Sequence, residues 1–204
     1  MGVVTDYGCG AWSRDGTRTV EDEDNFWAEA RTLARYGELT AQWLEGRLAA
    51  QPGYIGPCDV DEHLAPGLTE TLIALNRAGL VTTASQAGSG SHGPVGGRWA
   101  QAAAVTGIAT MATAQWFWWV LVGTRFRAVI SPVRHASDTP FFGVPVTWRG
   151  GEGRTWFGPV SDLMVIPSDA EVVLTVYDPV PGRNDLWPVL LRAAWARTER
   201  HADA

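Results

Sequence analysis

The 204-residue chain is expected to fold as one α/β (α+β) domain with mixed β-sheets at its centre and helices around them. Three observations predict this. A content of 46% hydrophobic and 19% charged residues is that of a globular chain with a sizeable core, not a disordered or fibrous one. From residue 25 onward, stretches with helical apolar spacing alternate loosely with stretches rich in β-branched and aromatic residues. No internal repeat or low-complexity tract interrupts them.

The elements follow in order. Residues 1–24, with Gly8, Gly10, Gly16 and the acids Glu21 to Asp24, read as an irregular arm before the domain at 25–204. Phe26, Ala30, Leu33, Ala34, Gly37, Leu39, Trp43, Leu44 and Leu48 recur on one helical face, which predicts a helix closed by Pro52 and Gly53. Gly67 to Arg77 reads as a second helix with Gly79 as its left-handed cap, and Leu80 to Thr83 as a strand. Ser85 to Gly97, rich in Gly and Ser, reads as a loop, and Trp99 to Val122 as one or two helices. Strands are expected at Phe126–Ile130, Val144–Trp148 and Val172–Tyr177, then a turn at Pro179–Asp185 and a helix over Leu186–Thr198.

Charge and cysteine usage narrow the partners. A net charge of -6 argues against nucleic acid, although Thr71 to Ser137 contains arginines and no Asp or Glu. Cys9 and Cys58 form no CxxC pair, so neither a disulfide framework nor a zinc site is indicated, and a reducing, cytoplasmic setting is expected. The first ten residues show no export signal or lipid anchor. Trp99 to Thr124 is free of charge, but Gln101, Thr106, Thr110, Thr113 and Gln115 break its apolar run, so a packed helix is expected there and not a membrane span.

Catalytic patterns are sparse. Gly88, Gly90 and Gly93 spell GxGxxG, yet Pro94 and Gly96-Gly97 separate them from the following helix and no acid lies downstream to hold a ribose. His63, His92, His135 and His201 are scattered and no GxSxG elbow occurs, so metal and triad chemistry are not indicated. Leu75 to Gln86, LNRAGLVTTASQ, places hydroxyls and an amide at a strand end, a common location for a ligand.

That segment resembles the N-x-x-G-x-L-T-x-x-S-Q stretch in the regulatory half of methylenetetrahydrofolate reductase, where a glycine-rich loop and an aromatic-x-Gln start also follow, here Trp99-Ala100-Gln101. Val146 to Asp162, VTWRGGEGRTWFGPVSD, is similar to that family's V-T-W-x-x-x-x-G-R-x-x-x-x-P-T-x-x-D. Val176 to Trp187, VYDPVPGRNDLW, is similar to its V-D-x-x-x-x-x-N-x-L-W. The three blocks occur in the same order over roughly residues 39–195, and free-standing bacterial proteins share the Thr-Thr-x-Ser-Gln motif.

The resemblance implies a pocket for S-adenosylmethionine or S-adenosylhomocysteine in a non-catalytic sensor or regulatory module, with neither flavin nor metal. By position it assigns Thr82, Ser85 and Thr147 as ligand contacts, joined by Gln86 and Trp148; Trp99 and Trp156 are further candidates for an aromatic wall against a sulfonium. Two positions depart from the pattern. Val160 replaces a ligand-binding Thr, leaving Ser161 as the nearby hydroxyl, and Leu64-Ala65 replaces an acid-Thr pair, with Glu62 and Thr69 close by. Two other readings stand beside this one: a methyltransferase recruiting Asp178 or His92 as base, and a protein-interaction domain with a Trp-rich surface and a vestigial pocket.

Overall fold

The computed structural model describes residues 26–52, 54–55, 61–92, 98–133, 143–158 and 166–202. The fold is α+β: two four-stranded antiparallel sheets with helices packed around them. Helix α1 spans Leu33–Leu44, followed by the short pair β1 (Ala50–Gln51) and β2 (Tyr54–Ile55), then α2 (Leu68–Arg77). Strands β3 (Val81–Gln86), β4 (Ser89–His92), β5 (Arg98–Gln101) and β6 (Ala104–Ala109) precede α3 (Met111–Leu121). Then come β7 (Arg127–Pro132), β8 (Val144–Arg149), β9 (Glu152–Phe157), β10 (Val172–Tyr177) and α4 (Leu186–Ala202).

Sheet I has the order β3-β6-β10-β7 and sheet II the order β4-β5-β8-β9. One face of sheet I, carrying Val105, Leu174 and Val176, lies in the main apolar core with Leu68, Leu75, Phe117, Leu190 and Trp187. Toward the other end of its opposite face, Ala84, Ala104 and Tyr177 pack on Val146 and Phe157 of sheet II, which forms a second, smaller core. Among the described residues, no helix is long and apolar enough to cross a membrane.

Several sequence expectations change here for identifiable reasons. The first helix is split: residues 26–29 form one turn, and α1 starts afresh at Leu33. Its start is fixed because the Leu33 amide donates to Asp169 Oδ1 at 2.8 Å and the Thr32 hydroxyl accepts from the Arg35 amide. It ends at Leu44, before Gly46 with φ of 73°, well short of Pro52. The helical stretch expected over 99–122 is two strands and one helix. Alanine favours helices, but Ala102, Ala103 and Ala104 are fully buried where the chain passes from sheet II to sheet I, and strand pairing overrides local propensity.

The strand expected at 80–83 runs on to Gln86, and part of the expected loop is β4, paired with β5. Hairpin β8–β9 adds a strand that was not expected, with the Trp156 indole folded over Gly153. Gly79 has φ of 87°, in agreement with a left-handed cap after α2.

The helices are tied by polar contacts at their ends. The Arg197 guanidinium donates to Ala78 O and to the Thr113 hydroxyl, joining α4 to the carbonyl end of α2 and to the first turn of α3. At the start of α2 the N-cap, Gly67, has no side chain to accept a bond, so Glu62 does so: its carboxylate accepts from the Gly67 amide (2.6 Å) and from the amide and hydroxyl of Thr69 (2.8 Å each).

Partial burial acts to raise the Glu62 carboxyl, but these hydrogen bonds outweigh it and hold the group below the usual glutamate range. A carboxyl depressed in the folded state contributes stability above its unfolded pKa of about 4.3, and that contribution is lost as pH falls through the folded value. Denaturant midpoints of the wild type and Glu62→Gln should therefore be well separated at neutral pH and should converge in acid. A gap that is unchanged or wider in acid contradicts this account of the cap.

Candidate functional site

The three sequence blocks meet at the end of β3, where sheet I gives way to sheet II. Gln86 is buried, and its Nε2 donates to Ala102 O and Val146 O, both at 2.9 Å. Its Oε1 accepts from the Thr147 hydroxyl at 3.1 Å. Thr147 is 1% exposed and pairs across β5–β8 with Gln101, whose Nε2 donates to Ala87 O at 2.8 Å. One amide thus ties β3 to β8 and to the crossing residue Ala102.

The third block closes the same junction from the other side. The Asn184 Oδ1 accepts from the Gly88 amide (2.7 Å) and from the Trp187 indole N–H (3.1 Å). Its Nδ2 donates to Gly88 O and Leu64 O. Gly88 is required because an added Cβ would stand 2.1 Å from Arg183 O. The Ala87 amide donates to Asp61 Oδ2.

The assigned ligand contacts divide between two faces of β3. Residues paired directly across antiparallel strands share a face. Ser85 pairs with Val105 and Thr82 with Gly107, on the face that carries Leu174 and Val176, whereas Gln86 pairs with Ala104, on the opposite face, whose near end packs on sheet II. A register shift between Thr82 and Ala84 is what allows Thr82 and Ser85, three apart, to share a side. The Thr82 hydroxyl accepts from Asn76 Nδ2 at 2.7 Å while its amide donates to Asn76 Oδ1, so α2 and β3 are clasped here. Ser85 is half-buried, and its hydroxyl makes no hydrogen bond among the described residues.

Thr82 and Ser85 are therefore neighbours on one side, and Thr147 stands with Gln86 on the other. Trp148 pairs with Ala100 and Trp99 with Arg149, adjacent register positions that turn the two indoles to opposite faces of sheet II, so they do not line a common wall. Trp156 is 43% exposed on the outer strand β9. Ser161, Val160 and the His92 side chain lie outside the described residues.

Glu62 and Thr69, displaced in sequence from the acid-Thr pair of the resemblance, are hydrogen-bonded to each other, and their bonds serve the start of α2. Asp178 is fully buried, and its carboxylate accepts from Arg125 Nε and Nη2 and from the Val180 amide. Arg125 also reaches Asp185, and its hydrogen bonds to these two acids hold the guanidinium above its ordinary range. A carboxylate bound in this way is not placed to abstract a proton from an outside group.

Residue types alone single out neither Asn184 nor Gln101, although both fall within the quoted motifs and both fasten the strand end that carries Ser85 and Gln86. Their signal is chemical: an amide side chain both donates and accepts, so it can bridge backbone groups on two segments at once.

Removing these bridges has a graded cost, because a buried group left without its partner loses about 1–3 kcal/mol. Thr147→Val, which deprives only Gln86 Oε1, should lower unfolding free energy by about 1–2 kcal/mol. Asn184→Ala, which strands a backbone amide, an indole N–H and carbonyl acceptors together, should cost more, about 2–3 kcal/mol. Urea denaturation of the two variants checks both the size and the ranking, and wild-type midpoints for either would contradict the roles given to these side chains.

Among curated proteins, none matches the chain. Residues 22–197 match the family described as Domain of unknown function (DUF6919), a match that takes in α1, both sheets and most of α4. The chain belongs to that family.

Proposed function

We propose that the chain is a non-catalytic sensor or regulatory module that binds S-adenosylmethionine or S-adenosylhomocysteine beside the end of β3, as implied by the likeness of its three blocks to the regulatory half of methylenetetrahydrofolate reductase. The observation that carries this reading is the convergence of those blocks, which are 60 to 96 residues apart at their bonded positions, on Gln86 and Gly88. A cytoplasmic setting belongs to the same reading.

The chemistry left over along β3, from Thr82 near its start to Ser85 next to its end, supports a polar ligand. Thr82 Oγ1 accepts from an amide N–H, so its own proton is available to donate to a carboxylate. Among the described residues, nothing bonds the Ser85 hydroxyl, which leaves its donor and its lone pairs for a ligand. Thr147, by contrast, donates to Gln86 and contributes by holding Gln86, and with it the end of β3, in place. Thr82 and Ser85 are thus the direct contacts in this reading; Asn76 positions Thr82, and Gln86, Thr147 and Asn184 hold the strand end beside Ser85. The bound state of Asp178 favours a module without turnover over a methyltransferase using that acid.

One observation favours a second reading, a domain that docks a protein partner. Trp118 (41% exposed), Trp119 (66%) and Val122 (53%) lie together near the end of α3, the two rings edge to face at 5.0 Å.

Calorimetry and thermal unfolding with each nucleoside separate the two readings. The sensor reading expects saturable binding of S-adenosylhomocysteine, an upward shift in Tm, no consumption of S-adenosylmethionine over time, and about tenfold weaker binding in Ser85→Ala. Absence of heat and of any Tm shift at millimolar nucleoside refutes it and leaves the α3 surface as the working feature.

A further inference from the structure

We propose that the groove between α1, α2 and α4 is a second binding site, for a small organic cation with an apolar body, such as a quaternary ammonium or guanidinium compound. The groove, open to solvent along its mouth, has a volume of about 510 Å3 and is lined by Glu45, Glu70, Ile73, Ala74, Arg77, Trp195, Thr198 and Glu199. That volume lies in the range of about 300–1,000 Å3 typical of small-molecule sites. It shares no residue with the junction at Gln86, and the proposal does not rest on the nucleoside reading.

The charge balance within the groove selects the ligand. Three carboxylates face one guanidinium, and that guanidinium is already committed: Arg77 Nε stands 3.1 Å from Glu38 Oε2 and Nη1 2.8 Å from Glu45 Oε1. Glu45 is also within 3.2 Å of Arg47 Nε. Glu70 and Glu199, both exposed at the opening, make no ion pair or hydrogen bond among the described residues, so no described cation offsets these two carboxylates. An anionic ligand is repelled there, and a neutral apolar ligand would draw the carboxylates from water and give them nothing to pair with.

Carboxylates on helix surfaces are ordinarily just solvated. What distinguishes this pair is its setting beside apolar groups and an indole. Ile73 and Ala74 supply apolar lining, and Trp195 remains 48% exposed, although α4 buries its other tryptophan, Trp187, to 2%. An indole face attracts a cation by about 0.5–2 kcal/mol, and does so best when the cation is weakly hydrated, as quaternary ammonium and guanidinium groups are. Thr198 offers no competing donor, because its hydroxyl donates to Ala194 O within the helix.

The test compares choline with 3,3-dimethylbutan-1-ol, which has the same shape without the charge, by calorimetry on the whole chain. Choline is expected to bind saturably in the millimolar range or tighter, with the neutral probe about tenfold weaker. Trp195→Leu should weaken choline about fivefold, and the double variant Glu70→Gln/Glu199→Gln by a similar factor. All three side chains are solvent-facing, and circular dichroism checks that the variants fold. On the wild-type protein, amide chemical-shift changes with choline should cluster at 70–77 and 195–199. Equal affinity for the two probes, choline binding that both variants leave intact, or shift changes confined elsewhere overturns the proposal.

Discussion

The arrangement of the two sheets depends on one buried side-chain amide. The chain crosses from sheet II to sheet I through Ala102 and Ala103, and at this crossing ladder bonding changes partners, so backbone groups need acceptors and donors from outside the regular ladders. Backbone bonds from Ala102 N to Val146 O and from Asp178 N to Ala103 O meet part of that need, and Gln86 adds a donor to Ala102 O, a second donor to Val146 O and an acceptor for the Thr147 hydroxyl. Alanines fit the crossing because larger side chains would separate the layers that Gln86 spans. Ala84, Ala104, Val146 and Phe157 then form a small apolar core beside this polar tie, so hydrogen bonding and burial reinforce each other at one place.

The same economy explains why the motif residues are clustered. Asn184 binds both backbone polar groups of Gly88 together with the Trp187 indole N–H, and Trp187 is buried against the main core, so the start of α4 is registered on the β3–β4 connection. Asp61 and Gln101 complete the enclosure of Ala87. Among the described residues, Ser85 is the hydroxyl next to this fastened strand end that makes no hydrogen bond.

Much of the fold was legible in the sequence because its signals were local. The helix over 67–77 and its Gly79 cap, the strands β8 and β10, and the start of α4 follow from spacing and turn chemistry that neighbouring residues enforce. The alanine-rich run before α3 was not, because its conformation is decided by pairing with β3 and β10, and local propensity points to helix. The candidate site was partly legible. The blocks named Thr82, Ser85, Gln86 and Thr147, but the bond between Gln86 and Thr147 spans 61 positions, and the shift in register that puts Thr82 and Ser85 on one side leaves no mark in the residue pattern. Trp195 and Glu199 read simply as parts of a C-terminal helix, since a groove among three helices is a property of their packing.

Among the described residues, β9 is the edge strand of sheet II and no further strand pairs with its outer side. Glu152 and Arg154 are exposed along it, and Trp156 bends back over Gly153 instead of lying flat. A second chain that tried to extend the sheet would meet charges and a bulky ring where it needs a level, apolar surface. Two register irregularities in its pairing with β8 add local twist to the same margin. The hairpin therefore makes this one border of sheet II a poor template for the growth of intermolecular sheet.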